Sequence, residues 1–177
     1  MDRILIKNGR VMDPLNGIDG VRDVLIVHGI IEDVGEELEC SEATVIDAKG
    51  LLVTPGFIDL HVHFREPGFE YKETIETGAK AAVAGGFTSV VCMPNTKPVL
   101  DNPEVFNGFM QLAEKADCRV YGLASATKAM EGKELTDFTA LRKSGALGFT
   151  DDGGTVQSGR LVYEGLQVAK QLGVPLV

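Results

Sequence analysis

The sequence has little of several things that would each define a protein class. It has three cysteines, Cys40, Cys92 and Cys118, at long spacings and with no C-x-x-C pair. A disulfide framework, a thiolate metal site and a dithiol redox centre are therefore not expected, and buried free thiols are the expected state. Basic residues are in deficit, 17 Lys and Arg against 26 Asp and Glu, for a net charge of -9. Nucleic acids and anionic membrane surfaces call for the opposite excess, so neither is an expected partner. No apolar run is long enough to span a bilayer, and Met1-Asp2-Arg3-Ile4 leads directly into an alternating strand rather than a signal peptide. The cytoplasm is the expected location. No G-x-G-x-x-G follows a first strand, which removes the fingerprint of dinucleotide binding.

Two textures are present. Up to Thr54 the chain reads as small β structure. Ile4, Ile6 and Val11 are interrupted by Asn8-Gly9, a hairpin signal, and Asn16-Gly17 is turn chemistry. Val24-Leu25-Ile26-Val27 predicts a strand closed by a turn at His28-Gly29. Further strands are predicted around Ile30-Ile31, Thr44-Val45-Ile46 and Leu51-Leu52-Val53. These strands are too few and short for a sandwich and need partners from elsewhere.

From Pro55 the texture changes to strand–helix alternation, which predicts a parallel sheet. A buried strand over Phe57–His63 precedes a helix with apolar residues at Ile75, Ala79, Ala82 and Val83, stopped by Gly85-Gly86. Thr88–Met93 is the next strand. Asn102-Pro103-Glu104 then carries a capping residue, a proline and an acid in the order that starts a helix. Strands at Arg119–Leu123 and Ala146–Thr150 follow, with helices ending near Gly145 and at Gly173, and Val174-Pro175-Leu176-Val177 opens a fifth strand. Four βα units are about half of a (β/α)8 barrel. The expectation is a small β-sandwich lobe over 1–54, incomplete without strands from the C-terminal end, the first half of the barrel over 55–177 and a longer parent polypeptide. An open doubly wound sheet is the alternative, since five strands can complete one.

His61 and His63 stand two apart on a strand, so both imidazoles face one side. Barrel enzymes place their sites at the carboxyl ends of strands, and two neutral imidazoles there suit a divalent metal such as zinc. Histidines satisfied by ordinary hydrogen bonds are the plainer explanation of H-x-H alone. Asp151-Asp152 follows the fourth barrel strand and could complete or bridge a metal pair; an ordinary turn would use the same residues. Arg65 stands just beyond the first strand, suited to gripping a substrate carboxylate or to a surface pair with Glu66. Asn95, past the second strand, could hydrogen-bond the same substrate or simply form a turn. His28 reads as a turn residue.

Pro55-Gly56-Phe57-Ile58-Asp59-Leu60-His61-Val62-His63 resembles the first-strand signature of the amidohydrolase superfamily, metal-dependent barrels with a small β lobe. Phe64-Arg65-Glu66-Pro67-Gly68 narrows the likeness to dihydroorotases and allantoinases. Gly85-Gly86-Phe87-Thr88, Met93-Pro94-Asn95-Thr96 and Phe149-Thr150-Asp151-Asp152-Gly153 are similar to the class I dihydroorotases. The resemblance implies that His61, His63 and Asp152 bind one or two zinc ions and that Arg65 and Asn95, with His63, meet the substrate. It implies the reversible cyclisation of N-carbamoyl-L-aspartate to dihydroorotate in pyrimidine synthesis by a zinc-hydroxide mechanism. Two further histidine ligands and an acid/base aspartate are expected beyond Val177, so no catalytic acid or base lies in this chain and the chain alone is expected to be inactive. Allantoinase is the runner-up, disfavoured because Asp152 stands where those relatives carry a carboxylated lysine. A non-catalytic subunit of aspartate transcarbamoylase is the third reading, disfavoured because the three ligands are retained. That transferase and a second copy of the chain are the macromolecular partners to consider.

Overall fold

The computed structural model describes residues 3–177, which fall into two compact units, one up to Pro55 and the other Gly56–Val177. The first unit is one five-stranded sheet. β1 (Arg3–Asp13), β2 (Ile18–Val27) and β3 (Ile30–Gly35) form an antiparallel meander, and β4 (Thr44–Asp47) and β5 (Leu52–Val53) pair with β1 in parallel. The turn at His28-Gly29 has positive φ at both residues, 52° and 76°, the backbone that matches the twist of a two-residue hairpin.

The Asn8-Gly9 hairpin does not form. β1 runs through both residues, with a bulge between Ile6 and Gly9. Asn8 takes a φ of 63°, and its N–H donates to Asp23 Oδ1 at 2.9 Å instead of to the ladder. The turn chemistry is spent on a bulge because a buried carboxylate from β2 is there to receive the freed donor. The same carboxylate accepts from the Leu38 N–H at 3.0 Å, so Asp23 fixes two irregular stretches at once.

In the second unit the parallel strands follow chain order. β6 (Phe57–Val62) pairs with β7 (Phe87–Cys92), which pairs with β8 (Arg119–Gly122). After Leu123 the same strand direction resumes as β9 (Ala124–Ser125), paired with β10 (Phe149–Thr150). Phe149 then bridges Leu176 in parallel, so the fifth strand is begun as the sequence predicts. Helices α1 (Ile75–Ala84), α2 (Pro103–Ala113), α3 (Phe138–Lys143) and α4 (Gly159–Leu172) alternate with the strands. Their starts are locally encoded: Thr74, Asn102, Asp137 and Ser158 each accept a hydrogen bond from a first-turn N–H. α4 ends on Gly173 at a φ of 65°, the left-handed residue expected there.

The core lies between the sheet and the helices, with Ile75, Leu100, Phe106, Phe109, Leu141 and Phe149 all but inaccessible. Phe138 and Phe149 stack with centroids 3.7 Å apart. α1 approaches closely because Gly78 has no side chain; a Cβ there would collide with the Phe64 ring. Two expectations fail. β6 is an edge strand, and Phe57, Ile58 and Leu60 are exposed because nothing among the described residues pairs with its outer side. Of the three thiols only Cys92 is buried, and burial pushes it up to about 12, which leaves it protonated and inert. Cys40 and Cys118 are half-buried.

Candidate metal centre

His61 lies on β6 and His63 follows it directly. The alternation of a strand sends both rings the same way, with centroids 5.2 Å apart. Asp152 comes from the segment after β10, three strand positions across the sheet. It turns one carboxylate oxygen toward each ring: Oδ1 is 3.3 Å from His61 Nε2 and Oδ2 is 3.5 Å from His63 Nε2. One donor atom from each of the three residues falls within 4.8 Å of the others. His61 is the accessible member at 55%, against 29% for His63 and 22% for Asp152.

The hydrogen bonds around this cluster decide which atoms are free. Asn95, in the loop after β7, is bonded on both sides. Its Nδ2 donates to Asp152 Oδ2 at 3.1 Å, which turns its Oδ1 toward His63 Nδ1 at 3.0 Å. An amide oxygen only accepts, so His63 Nδ1 donates to it, and Nε2 is the ring nitrogen that faces the carboxylate. A metal-binding imidazole needs this arrangement: the far nitrogen anchored and the near one available. Donor separations also suit a small tetrahedral ion, since ligands at about 2.1 Å from zinc stand roughly 3.4 Å from one another.

Asp151, the preceding residue, goes elsewhere. It is 6% exposed. Its Oδ1 accepts from Ser125 Oγ and from the Thr127 N–H, both at 2.9 Å, and its Oδ2 accepts from Thr127 Oγ1. This buried clamp ties the end of β10 to the end of β9 and so sets the backbone that carries Asp152. Sequence reasoning did not assign it; the signal was the pair of acids, whose neighbours on a strand end must face different ways.

His61 and Asp152 stand on the wall of a cavity of about 840 Å³, otherwise lined mainly by apolar side chains such as Leu60, Met93, Leu123 and Leu166. That size accommodates a small molecule. Arg65 is not on this wall. It lies in a tight turn just past His63, half-buried, with no ion pair or side-chain hydrogen bond among the described residues. The surface pair with Glu66 does not form, because Glu66 accepts from the Ile75 N–H at 2.8 Å.

The half-barrel is shared with solved hydrolases of the amidohydrolase type. The L-hydantoinase (dihydropyrimidinase) from Arthrobacter aurescens superposes with a TM-score of 0.84 at 20% identity, over 99% of this chain and 40% of that one. A D-hydantoinase from Thermus sp. gives 0.75 at 29% identity, over 98% and 39%. Within that class the dihydro-orotase-like family model matches residues 50–177, and the chain belongs to that family. It is 46% identical to a dihydroorotase of Aquifex aeolicus (strain VF5) over all of this chain and 42% of that protein. It is 50% identical to a dihydroorotase of Streptococcus pneumoniae over 96% of this chain and 40% of that protein. The chain thus spans about two fifths of the length of these curated relatives.

Proposed function

We propose that this chain is the N-terminal part of a zinc-dependent dihydroorotase, which interconverts N-carbamoyl-L-aspartate and dihydroorotate in pyrimidine synthesis in the cytoplasm. The observation that carries the proposal is the convergence of His61, His63 and Asp152 in a member of the dihydro-orotase-like family. These three side chains would hold one or two zinc ions. When bound, zinc acidifies water and polarises the substrate carbonyl at neutral pH. His63, fixed by Asn95, offers Nε2 to the site; Asp152 supplies the negative charge that two neutral imidazoles lack.

Arg65, whose guanidinium has no partner among the described residues, is assigned to the substrate carboxylate through its guanidinium fork. Asn95 has a double task in this reading, since the amide that orients His63 and Asp152 would also reach the substrate. The remaining ligands and the general acid/base belong to later strands of the parent polypeptide. Its relatives' greater length and the uncovered apolar flank of β6 support that reading. Retention of His61, His63 and Asp152 favours a catalytic protein over a scaffold for aspartate transcarbamoylase.

The test is an assay of the full-length polypeptide with N-carbamoyl-L-aspartate and with allantoin. Dihydroorotate should form, stop forming after chelation and resume with zinc, while allantoin stays intact. The 177-residue chain by itself should show neither reaction. Allantoin hydrolysis without dihydroorotate formation would replace this reading with the allantoinase one.

A further inference from the structure

The turn that carries Arg65 is strained. The Glu66 N–H donates to the Phe64 carbonyl at 2.7 Å, closing a three-residue turn around Arg65, whose φ is 63°. A positive φ at the centre of such a turn is rare for a residue with a side chain, and strain of this kind persists only where the surroundings over-determine it.

Every neighbour of Arg65 is tied down. Upstream, the buried Phe64 ring fills the space that Gly78 leaves on α1. Downstream, the Glu66 carboxylate accepts from the Ile75 N–H at 2.8 Å, in the first turn of α1. The Pro67 carbonyl accepts from the Lys97 N–H at 2.9 Å, and the Arg65 carbonyl accepts from the Phe69 N–H at 3.0 Å. Within this turn it is the Arg65 guanidinium that has no partner among the described residues. The strain therefore serves no side-chain contact of Arg65 among the described residues; its product is the direction in which the guanidinium leaves the backbone, two residues beyond His63.

We infer that Glu66 is a positioning residue: by bonding the N-terminus of α1 it holds the strained turn that presents Arg65 to the carboxylate of the substrate. This rests on the reading of Arg65 given above. Thr74 already caps α1, with its Oγ1 accepting from the Thr77 N–H at 3.1 Å. The Glu66 contact is thus a second anchor at that helix end, and its distinctive effect is on the turn.

The experiment uses the full-length zinc-loaded protein and two competitive inhibitors of one ring type, one with a carboxylate and one with a carboxamide in its place. Glu66→Ala should weaken the carboxylate inhibitor and raise KM by about ten- to a hundredfold, the scale of a misplaced binding group. The carboxamide inhibitor, zinc content and kcat should move little, and Glu66→Gln, which still accepts from the Ile75 N–H, should recover most of the loss. If the alanine variant is insoluble, Glu66→Asp carries the same comparison, because its shorter stem draws the carboxylate back. Equal weakening of both inhibitors, or no weakening of either, would overturn the inference while leaving the Arg65 assignment standing. An Arg65→Ala variant that still prefers the carboxylate inhibitor would remove that assignment, and the inference with it.

Discussion

His63→Ala will strip the full-length protein of most of its zinc and lower turnover by about a thousandfold, the rate equivalent of roughly 4 kcal/mol. The size follows from what His63 does in two directions at once. Its Nε2 is one of three converging donors, 3.5 Å from Asp152 Oδ2. Its Nδ1 holds Asn95, which in turn holds Asp152. Removing the ring takes away one of the three proposed zinc donors and frees the carboxylate that would have to compensate. Zinc content by elemental analysis and steady-state turnover read the two effects separately. A variant that retains full zinc occupancy and native turnover would show that the cluster is an incidental grouping of polar side chains.

Asp151→Ala will cost about 3 kcal/mol of folding stability, measured by denaturant unfolding of the full-length protein. The carboxylate is buried and accepts three hydrogen bonds. Without it the Thr127 N–H and the Thr127 hydroxyl lose their acceptor in the interior, and the Ser125 hydroxyl loses one of its two. The hydroxyls can rotate toward carbonyls: Ser125 Oγ already lies 2.5 Å from the Thr127 carbonyl. The backbone N–H cannot. Asp151→Asn keeps an amide oxygen for that N–H and should lose clearly less. Equal and small losses in both variants would mean that water replaces the carboxylate and that the clamp does not set the end of β10.

The architecture of the second unit was legible because its signals are local. Strand–helix alternation, Pro103 after Asn102, and Gly173 after an apolar stripe each report on a few neighbouring residues. Where the determining partner is distant, the local signal misleads. Asn8-Gly9 has hairpin chemistry, yet the Asp23 carboxylate, 15 residues away, turns it into a bulge within β1. The apolar composition of Phe57–Leu60 promises burial, but burial depends on a neighbouring strand, which no local pattern supplies.

The candidate site divides in the same way. The spacing of His61 and His63 is a property of one strand and can be read directly. That Asp152 rather than Asp151 joins them depends on Ser125 and Thr127, which claim the other carboxylate from an adjacent strand. Family likeness pointed to Asp152, the member of the pair that lies beside both histidines, where spacing left both open. The part of Asn95 in orienting His63 was invisible for the same reason: the three partners lie 32 and 57 residues apart along the chain.

The central claim is that His61, His63 and Asp152 together hold zinc, and anomalous diffraction at the zinc edge from crystals of the full-length protein tests it most directly. A peak should appear between the three side chains, about 2.0–2.2 Å from both Nε2 atoms and from an oxygen of Asp152. Protein that converts N-carbamoyl-L-aspartate to dihydroorotate with no anomalous peak at this position would contradict it.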